Sequence, residues 1–176
     1  MVKRVWILLL TVLVNGAWAD EVPAVGSMAP AFSLSAQDGR EISLESLRGK
    51  WLVLYFYPKN DTPGCTEEAC SFRDDMAQLT NLGAQIVGVS IVETASNAEF
   101  ARKYHLPFPL LADTDGAVAK RYGAYADWMV AHFARRYTFL IDAQGKIAKT
   151  YLKVDTSKHS AEIIADLKQL SSSSGK

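Results

Sequence analysis

A continuous run of apolar and aromatic residues, from Trp51 to Tyr57, is the feature that most restricts how this chain can fold. The run has no alternation of polar and apolar positions, so it does not fit a strand with one face in water. It is typical of a central strand that is covered on both faces. Pro58 ends the strand, because proline has no N–H to continue a hydrogen-bonded ladder. The chain therefore needs a sheet with further structure packed on each side.

The rest of the sequence supplies strands and helices in a mixed order. Strands are predicted at Phe32–Leu34, Gln85–Ser90, Phe108–Leu111, Arg136–Ile141 and Lys146–Leu152, helices at Pro63–Leu82, Ser96–Tyr104, Gly116–Tyr122 and Lys158–Leu170, a turn at Gln37–Arg40 and one helical turn at Ser43–Leu47. This order predicts an α/β fold with a mixed central β-sheet flanked by helices. A thioredoxin-like fold fits it, although periodicity alone does not single that fold out. We find no linker, so residues 20–170 are expected to form one domain, followed by a disordered tail at 171–176.

The first nineteen residues have the pattern of a secretory signal peptide. Lys3 and Arg4 precede an apolar run from Val5 to Val14, and Ala17-Trp18-Ala19 is a small-x-small cleavage pattern. We expect cleavage at residue 19 and export, most simply to a bacterial periplasm, with no membrane attachment afterwards. A retained membrane anchor stays open, although the run is shorter than the roughly 20 residues of a typical span.

The charge of the chain argues against a nucleic-acid partner. Its 19 basic residues balance 19 acidic ones, without a basic stripe or a block of like charge. His105, His132 and His159 lie far apart and in no spacing typical of metal ligands. We therefore expect no metal, and a partner that is either a small molecule or another protein.

The position of Cys65 suggests a reactive thiol. Pro63 suits the first position of a helix and Thr62 suits its N-cap, which places Cys65 in the first helical turn. The positive end of the helix dipole and the free N–H groups there favour the thiolate form of a cysteine.

Cys65 and Cys70 could form either a structural disulfide or a redox-active pair. An even number of cysteines in an exported protein is usually structural. However, residues five apart on a regular helix have Cα atoms about 8.7 Å apart, whereas a disulfide needs about 4.4–6.8 Å. A bond over so short a loop would also stabilise little. These points favour a switch that forms a helix when reduced and unwinds locally when oxidised, and the structural alternative stays open.

The segment from Pro58 to Cys65 resembles the peroxiredoxins. Its Pro58-x-x-x-Thr62-Pro63-x-Cys65 pattern matches every fixed position of their P-x-x-x-T-x-x-C signature. Cys70, five residues further on, resembles the resolving cysteine of the bacterioferritin comigratory protein branch, also called PrxQ. Arg136 resembles the active-site arginine of that family. The similarity extends from about Gly26 to Leu170.

The resemblance implies a thiol peroxidase and assigns roles to five residues. Cys65 would attack hydrogen peroxide or an organic hydroperoxide and become a sulfenic acid, and Cys70 would resolve it as an intramolecular disulfide. Thr62 would cap the helix and contact the peroxide, although simple capping is an alternative role. Arg136 would stabilise the thiolate and polarise the peroxide, and Pro58 would shield the site. A thioredoxin-like dithiol would reduce the disulfide, and no cofactor is implied.

Three points limit what the resemblance implies. The segment Ala124–Ala134 differs from the common family version and could line the pocket, although ordinary packing is favoured. An exported enzyme could not meet cytosolic thioredoxin, so a periplasmic thioredoxin-like reductant is inferred. A thiol-disulfide oxidoreductase of the same fold is the main alternative, but such an enzyme typically has a Cys-x-x-Cys motif, whereas four residues separate Cys65 and Cys70 here. We expect a monomer, because the resolving partner lies in the same helix.

Overall fold

The run that begins at Trp51 forms a strand of a seven-stranded sheet in a computed structural model that describes residues 21–129 and 131–173. The strands of this sheet are β1 (Ser33–Ala36), β2 (Glu41–Ser43), β3 (Trp51–Phe56), β4 (Ala84–Ser90), β5 (Leu110–Ala112), β8 (Thr138–Ile141) and β9 (Ile147–Tyr151); β6 (Tyr125–Trp128) and β7 (Ala131–Ala134) form a separate hairpin. The helices are α1 (Pro63–Asp74), α2 (Met76–Asn81), α3 (Thr94–Tyr104), α4 (Ala117–Arg121) and α5 (His159–Ser173), with a 3₁₀ turn at Glu45–Leu47.

The sheet is mixed, as predicted. Its strands lie in the order β2-β1-β5-β4-β3-β8-β9. The strands β3, β4 and β5 run parallel, whereas β8 pairs antiparallel with β3, and β1 pairs antiparallel with β5. Because β3 and β4 are parallel, the loops that follow them emerge at the same edge of the sheet. The loop after β3 leads to Cys65, so this edge holds the cysteine.

The central strand is covered on both faces, which confirms the interpretation of its apolar run. Leu52, Leu54 and Phe56 pack into one cluster with α4 and the N-terminal segment of the domain. Val53, Tyr55 and Tyr57 pack into a second cluster, to which α1, α2, α3 and α5 contribute. The second cluster contains Cys65, so the reactive segment rests directly on the core.

The predicted helix from Pro63 to Leu82 is wrong in one respect, because it is broken at Asp75. The backbone of Asp75 departs from helical values at φ −90° and ψ 3°, and α2 starts at the next residue. Aspartate is a poor residue for a helix interior. Its carboxylate also accepts a hydrogen bond of 2.6 Å from the Ser160 hydroxyl on α5, which ties the break to a neighbouring helix.

The predicted strand Arg136–Ile141 starts two residues later than expected. Thr138 is the first residue of β8, and Arg136 lies in a bend before it. The last hydrogen bond of the ladder between β3 and the β8 segment runs from the Phe56 N–H to the Tyr137 carbonyl, at 2.7 Å. The next donor of this ladder would be the N–H of residue 58, but Pro58 has no N–H. Arg136 is therefore outside the ladder, and its side chain is not held to one face of a strand.

The segment Ala124–Ala134 contains strands that the sequence analysis did not predict. The hairpin of β6 and β7 has buried alanines at its base, Ala124 and Ala134, which fits ordinary packing. Trp128 and Met129 at its tip are 71% and 88% exposed, so packing does not explain them. The helical turn predicted at Ser43–Leu47 is present as the 3₁₀ turn at Glu45–Leu47. Its first predicted residue, Ser43, instead ends the short strand β2, which pairs with β1 across the predicted turn at Gln37–Arg40.

The described residues stop short of both ends of the chain. In the structure α5 continues through Ser173, so the first three residues of the predicted tail at 171–176 lie in this helix. Residues 174–176 and the predicted signal peptide at 1–19 lie outside the described residues. Among the helices of the described part, none has the length and apolar character needed to cross a bilayer.

Candidate active site

Cys65 lies in the first turn of α1, as the sequence predicts. Thr62 has the extended backbone of an N-cap, Pro63 begins the helix, and the Thr66 N–H donates to the Thr62 carbonyl at 2.9 Å. Cys65 is only 2% exposed. The thiol therefore occupies the positive end of a helix in an environment that largely excludes water.

Thr62 does not cap the helix with its side chain, and this part of the prediction is wrong. Its hydroxyl donates to the Lys59 carbonyl at 3.1 Å instead of accepting from an N–H of the first turn. That bond closes the short loop before the helix and leaves the lone pairs of the oxygen free. Pro58, half-buried, precedes the same loop.

The loop between β3 and α1 is fixed to α3 by polar side chains. The Tyr57 hydroxyl and the Asn60 amide both donate to the buried Asn97 side chain at 3.0 Å. Asp61 has a left-handed backbone at φ 58°, which is uncommon for a residue other than glycine. Its carboxylate accepts a 2.6 Å bond from the Lys103 ammonium. These contacts hold the loop that delivers Thr62 and Cys65 in one conformation.

Arg136 reaches Cys65 although the two residues lie far apart in the sequence. Its Nη2 donates to the Cys65 Sγ at 3.2 Å. The bend before β8 places Arg136 beside the first turn of α1, because β8 pairs with β3 at the same edge of the sheet. The guanidinium packs over Gly64, where a Cβ would lie at contact distance, 3.4 Å from Nη2. A fixed positive charge therefore faces the sulfur at hydrogen-bonding distance.

Glu68 completes the site and was not identified from the sequence. It is 1% exposed and accepts a hydrogen bond from the Arg136 Nη1, so one guanidinium contacts both the carboxylate and the thiol. Burial raises the pKa of Glu68 to about 7, against the lowering effect of Arg136. Burial also opposes the charge of Arg136, but Glu68 and Cys65 together raise its pKa above the ordinary value. The three groups thus form one coupled unit.

A signal for Glu68 was present in the spacing of the sequence. Glu68 follows Cys65 by three residues, and residues three apart lie on the same face of a helix. The helix was already predicted, and it places the Glu68 carboxylate one turn from Cys65. Glu68 could therefore have been proposed as the partner of an arginine that contacts Cys65.

The floor of the site is aromatic and uncharged. Tyr55 and Tyr57 stack with ring centroids 5.4 Å apart, and both belong to the buried cluster that contains Cys65. Burial raises the pKa of each phenol well above its ordinary value, so neither is ionised at neutral pH. The Tyr55 hydroxyl has no hydrogen-bond partner among the described residues. This floor keeps water away from the inner side of the thiol.

Cys70 is half-buried in the same helix, and both thiols are free. Because α1 is continuous from Cys65 to Cys70, the Cα separation of about 8.7 Å for such a helix applies. A bond between the two sulfurs therefore needs local unwinding. Within the described residues, no cluster of three or more histidine, cysteine, aspartate or glutamate side chains could hold a metal ion.

Comparison with known proteins identifies the family of the chain. The AhpC/TSA family matches residues 25–150. A Coxiella burnetii protein named among the Bcp peroxiredoxins is 43% identical over 149 residues, which cover 81% of this chain and 97% of its own. Peroxiredoxin Bcp of Bacillus subtilis is 38% identical over 153 residues, covering 84% of this chain and 96% of its own.

Solved structures that resemble this chain belong to proteins of the same kind. Peroxidoxin BcpB of Mycobacterium tuberculosis has a TM-score of 0.78 and 32% identity, covering 82% of this chain and 96% of its own. The bacterioferritin comigratory protein of Xanthomonas campestris, described for its alkyl peroxide reduction activity, has a TM-score of 0.74 and 32% identity over 78% and 90% of the two chains. The thioredoxin-like fold is thereby established. The chain belongs to the AhpC/TSA family, within the Bcp/PrxQ branch of the peroxiredoxins.

Proposed function

We propose that this peroxiredoxin reduces peroxides at Cys65 and resolves the oxidised cysteine with Cys70. The observation that carries this proposal is the 3.2 Å hydrogen bond from Arg136 to the Cys65 sulfur at the N-terminus of α1. A thiolate is the nucleophilic form of cysteine, and both the helix end and the guanidinium favour it.

In the first step, the Cys65 thiolate attacks the nearer oxygen of the peroxide. An S–O bond forms while the O–O bond breaks, and the departing oxygen takes a proton from solvent to become water or an alcohol. Negative charge develops on that departing oxygen. The Arg136 guanidinium supplies fixed N–H donors beside the sulfur, which stabilise this charge without reorganisation. The Thr62 hydroxyl, on the same loop, can contact the peroxide, and Pro58 limits access of water.

In the second step, the Cys70 sulfur attacks the Cys65 sulfenic acid. The S–O bond breaks, the oxygen leaves as water, and a Cys65–Cys70 disulfide forms. This step requires the turns of α1 between the two cysteines to open. An external protein dithiol then exchanges with the disulfide and restores both thiols. No cofactor enters the cycle.

The substrate class and the setting of the enzyme form the finer part of the proposal. The likeness to the Xanthomonas campestris protein supports alkyl hydroperoxides as substrates beside hydrogen peroxide. The N-terminal sequence supports export as a cleaved, periplasmic protein, and a thioredoxin-like protein of that compartment is the proposed reductant. Because both cysteines lie in one helix, a monomer can complete the cycle.

A thiol count by intact mass tests the peroxidase cycle. Reduced mature protein receives one equivalent of hydrogen peroxide or of an alkyl hydroperoxide. We expect rapid loss of two hydrogens, a bond mapped to Cys65 and Cys70, and reversal by a dithiol. Cys65→Ser should show no reaction, whereas Cys70→Ser should gain one oxygen and then stop. Two free thiols that persist in the unmodified protein would overturn the proposal.

Export is tested separately, in cells. The full chain is expressed in a Gram-negative host, and the N-terminus of the periplasmic protein is sequenced. A mature chain that begins at Asp20 is expected. Full-length protein retained with the membrane fraction would contradict cleavage and would support an anchor instead.

A further inference from the structure

The loop 152–158, which joins β9 to α5, lies against the first turn of α1. A Cβ at Gly64, the residue before Cys65, would lie 3.7 Å from the Thr156 Cγ2 and 3.4 Å from the Arg136 Nη2. The methyl group of Thr156 and the guanidinium of Arg136 therefore face the same point above the Gly64 backbone. A residue from a distant part of the chain thus borders the active site.

The side chain of Thr156 is held in one orientation. Its hydroxyl donates to the Glu67 carboxylate on α1. Threonine is also stiff about its first side-chain torsion, because its Cβ is branched. The loop itself is anchored by Val154, which packs against the second cluster. The bond to Glu67 therefore fixes the hydroxyl and leaves the methyl group facing Gly64.

The approach to the Cys65 thiol is restricted to its outer side, because the buried tyrosines form its floor. The residues of the site that keep part of their surface exposed are Pro58, Thr62, Gly64, Arg136 and Thr156. An organic hydroperoxide bound at the sulfur has to extend its substituent in their direction. Above Gly64 no side chain fills the space, and the Thr156 methyl group borders it at contact distance. The substituent meets an apolar group there, whereas hydrogen peroxide has no substituent to reach it.

We propose that Thr156 is a specificity-determining residue, whose methyl group contacts the substituent of an organic hydroperoxide while the peroxide oxygens lie at Cys65 and Arg136. This inference rests on the proposed function, in which Cys65 attacks the peroxide. The substituent lies above Gly64 and buries the methyl group of Thr156. Burial of apolar surface is favourable, and hydrogen peroxide gains none of it. Thr156 therefore favours apolar hydroperoxides and takes no part in the chemical step.

The first chemical step, measured alone, tests this role. In a Cys70→Ser background, called the parent below, the rate of Cys65 sulfenic acid formation is followed by rapid quenching and mass. It is measured with hydrogen peroxide and with cumene hydroperoxide. The background removes the resolving step, so the opening of α1 enters neither rate. The readout is the ratio of the cumene hydroperoxide rate constant to the hydrogen peroxide rate constant, because a general loss of reactivity leaves this ratio unchanged.

Two variants separate the methyl group of Thr156 from its hydroxyl. Thr156→Ser keeps the hydroxyl and removes the methyl group, so it should lower the ratio by about fourfold, as for losing the burial of one methyl-sized group. Thr156→Val keeps a methyl group and removes the bond to Glu67, so its ratio should stay close to that of the parent. Thr80→Ser, the same change at an exposed position of α2, is the matched control and should leave the ratio unaltered.

Each other outcome has a distinct meaning. An equal ratio in Thr156→Ser and the parent would overturn the inference, whatever Thr156→Val does. A fall in both variants would support the contact and show that the bond to Glu67 is needed to aim the methyl group. A parent that reacts with hydrogen peroxide and not with cumene hydroperoxide would overturn the inference and leave the peroxidase cycle intact. If Cys65 of the parent reacts with neither peroxide, the proposed function itself fails, and that result is visible before any Thr156 variant is compared.

Discussion

Glu68 should make the folded protein less stable as the pH rises from acidic values towards neutrality. Its carboxyl is buried, and burial raises its pKa from 4.5 to about 7 despite the hydrogen bond from Arg136. Between these two values the folded protein keeps the proton that the unfolded chain has released. Stability is therefore lost as the pH rises from about 4.5 to about 7, and it stays low above that window. At about 1.4 kcal/mol for each pH unit, the loss is about 3 kcal/mol.

The comparison of Glu68→Gln with its parent measures this loss. Both chains carry Cys65→Ser, so that the thiolate of Cys65 does not contribute, and the free energy of unfolding in urea is determined at pH 5 and pH 8. Because part of the loss has already occurred at pH 5, the parent should lose about 2 to 3 kcal/mol more than Glu68→Gln between these pH values. Glu99→Gln, an exposed glutamate of α3, is the control and should behave as the parent.

Other titrating groups cancel in this difference. The pKa of His159 is lowered to about 4 by burial and by the charge of Arg136, so its contribution rises with pH from about 4 to 6.5, in the parent and the variant alike. Equal pH dependence in the parent and Glu68→Gln would refute the reasoning. It would mean that pairing with Arg136 outweighs burial and that Glu68 is already ionised at pH 5.

Three further predictions concern the site and its support. Arg136→Lys should slow sulfenic acid formation by about 100-fold, as for loss of one fixed donor, with an unchanged circular dichroism spectrum; an unaltered rate would exclude a role in the first step. Thr156→Val should remove one contact of the first turns of α1 and leave the Arg136–Glu68 pair, so that the disulfide forms faster and less Cys65 is overoxidised by excess peroxide, as measured by mass; more overoxidation would contradict this. Phe72→Ala should lower the free energy of unfolding by about 3–5 kcal/mol in urea, and a loss below 1 kcal/mol would show that the helix end is not anchored there.

The parts of the fold that the sequence predicts are those governed by short-range patterns. The apolar run from Trp51 to Tyr57 predicts its own burial on both faces, and Pro63 predicts the start of α1 and the place of Cys65 in its first turn. These features depend on residues within a few positions of one another. The contact of Arg136 with Cys65 is different, because it depends on the pairing of β8 with β3. Only the resemblance to a known family pointed to that arginine.

The features that the sequence did not predict depend on contacts between distant elements. The break at Asp75 is tied to Ser160 on α5, and the bend at Arg136 follows from the missing N–H of Pro58, which comes just after β3. The side chain of Thr62 was expected to cap α1 because threonine commonly does so. It bonds to the Lys59 carbonyl because the loop before it is folded tightly against α3. The local preference of a residue for a cap or a helix does not predict such contacts between elements that lie far apart in the sequence.

The same helix has to satisfy two opposite requirements in the proposed cycle. Attack on peroxide needs α1 folded, since only then do its N-terminus and Arg136 act together on the Cys65 sulfur. Resolution needs the same turns unwound, because a regular helix keeps the two cysteines too far apart. The contacts divide these tasks along the helix. The turns that open are held by the Arg136–Glu68 pair and by the bond from Thr156 to Glu67, whereas the buried Phe72 and the bond from Arg73 to the Tyr104 carbonyl hold the end that stays. The balance between these two sets of contacts, more than the chemistry at sulfur, should therefore decide whether an oxidised Cys65 is resolved or oxidised further.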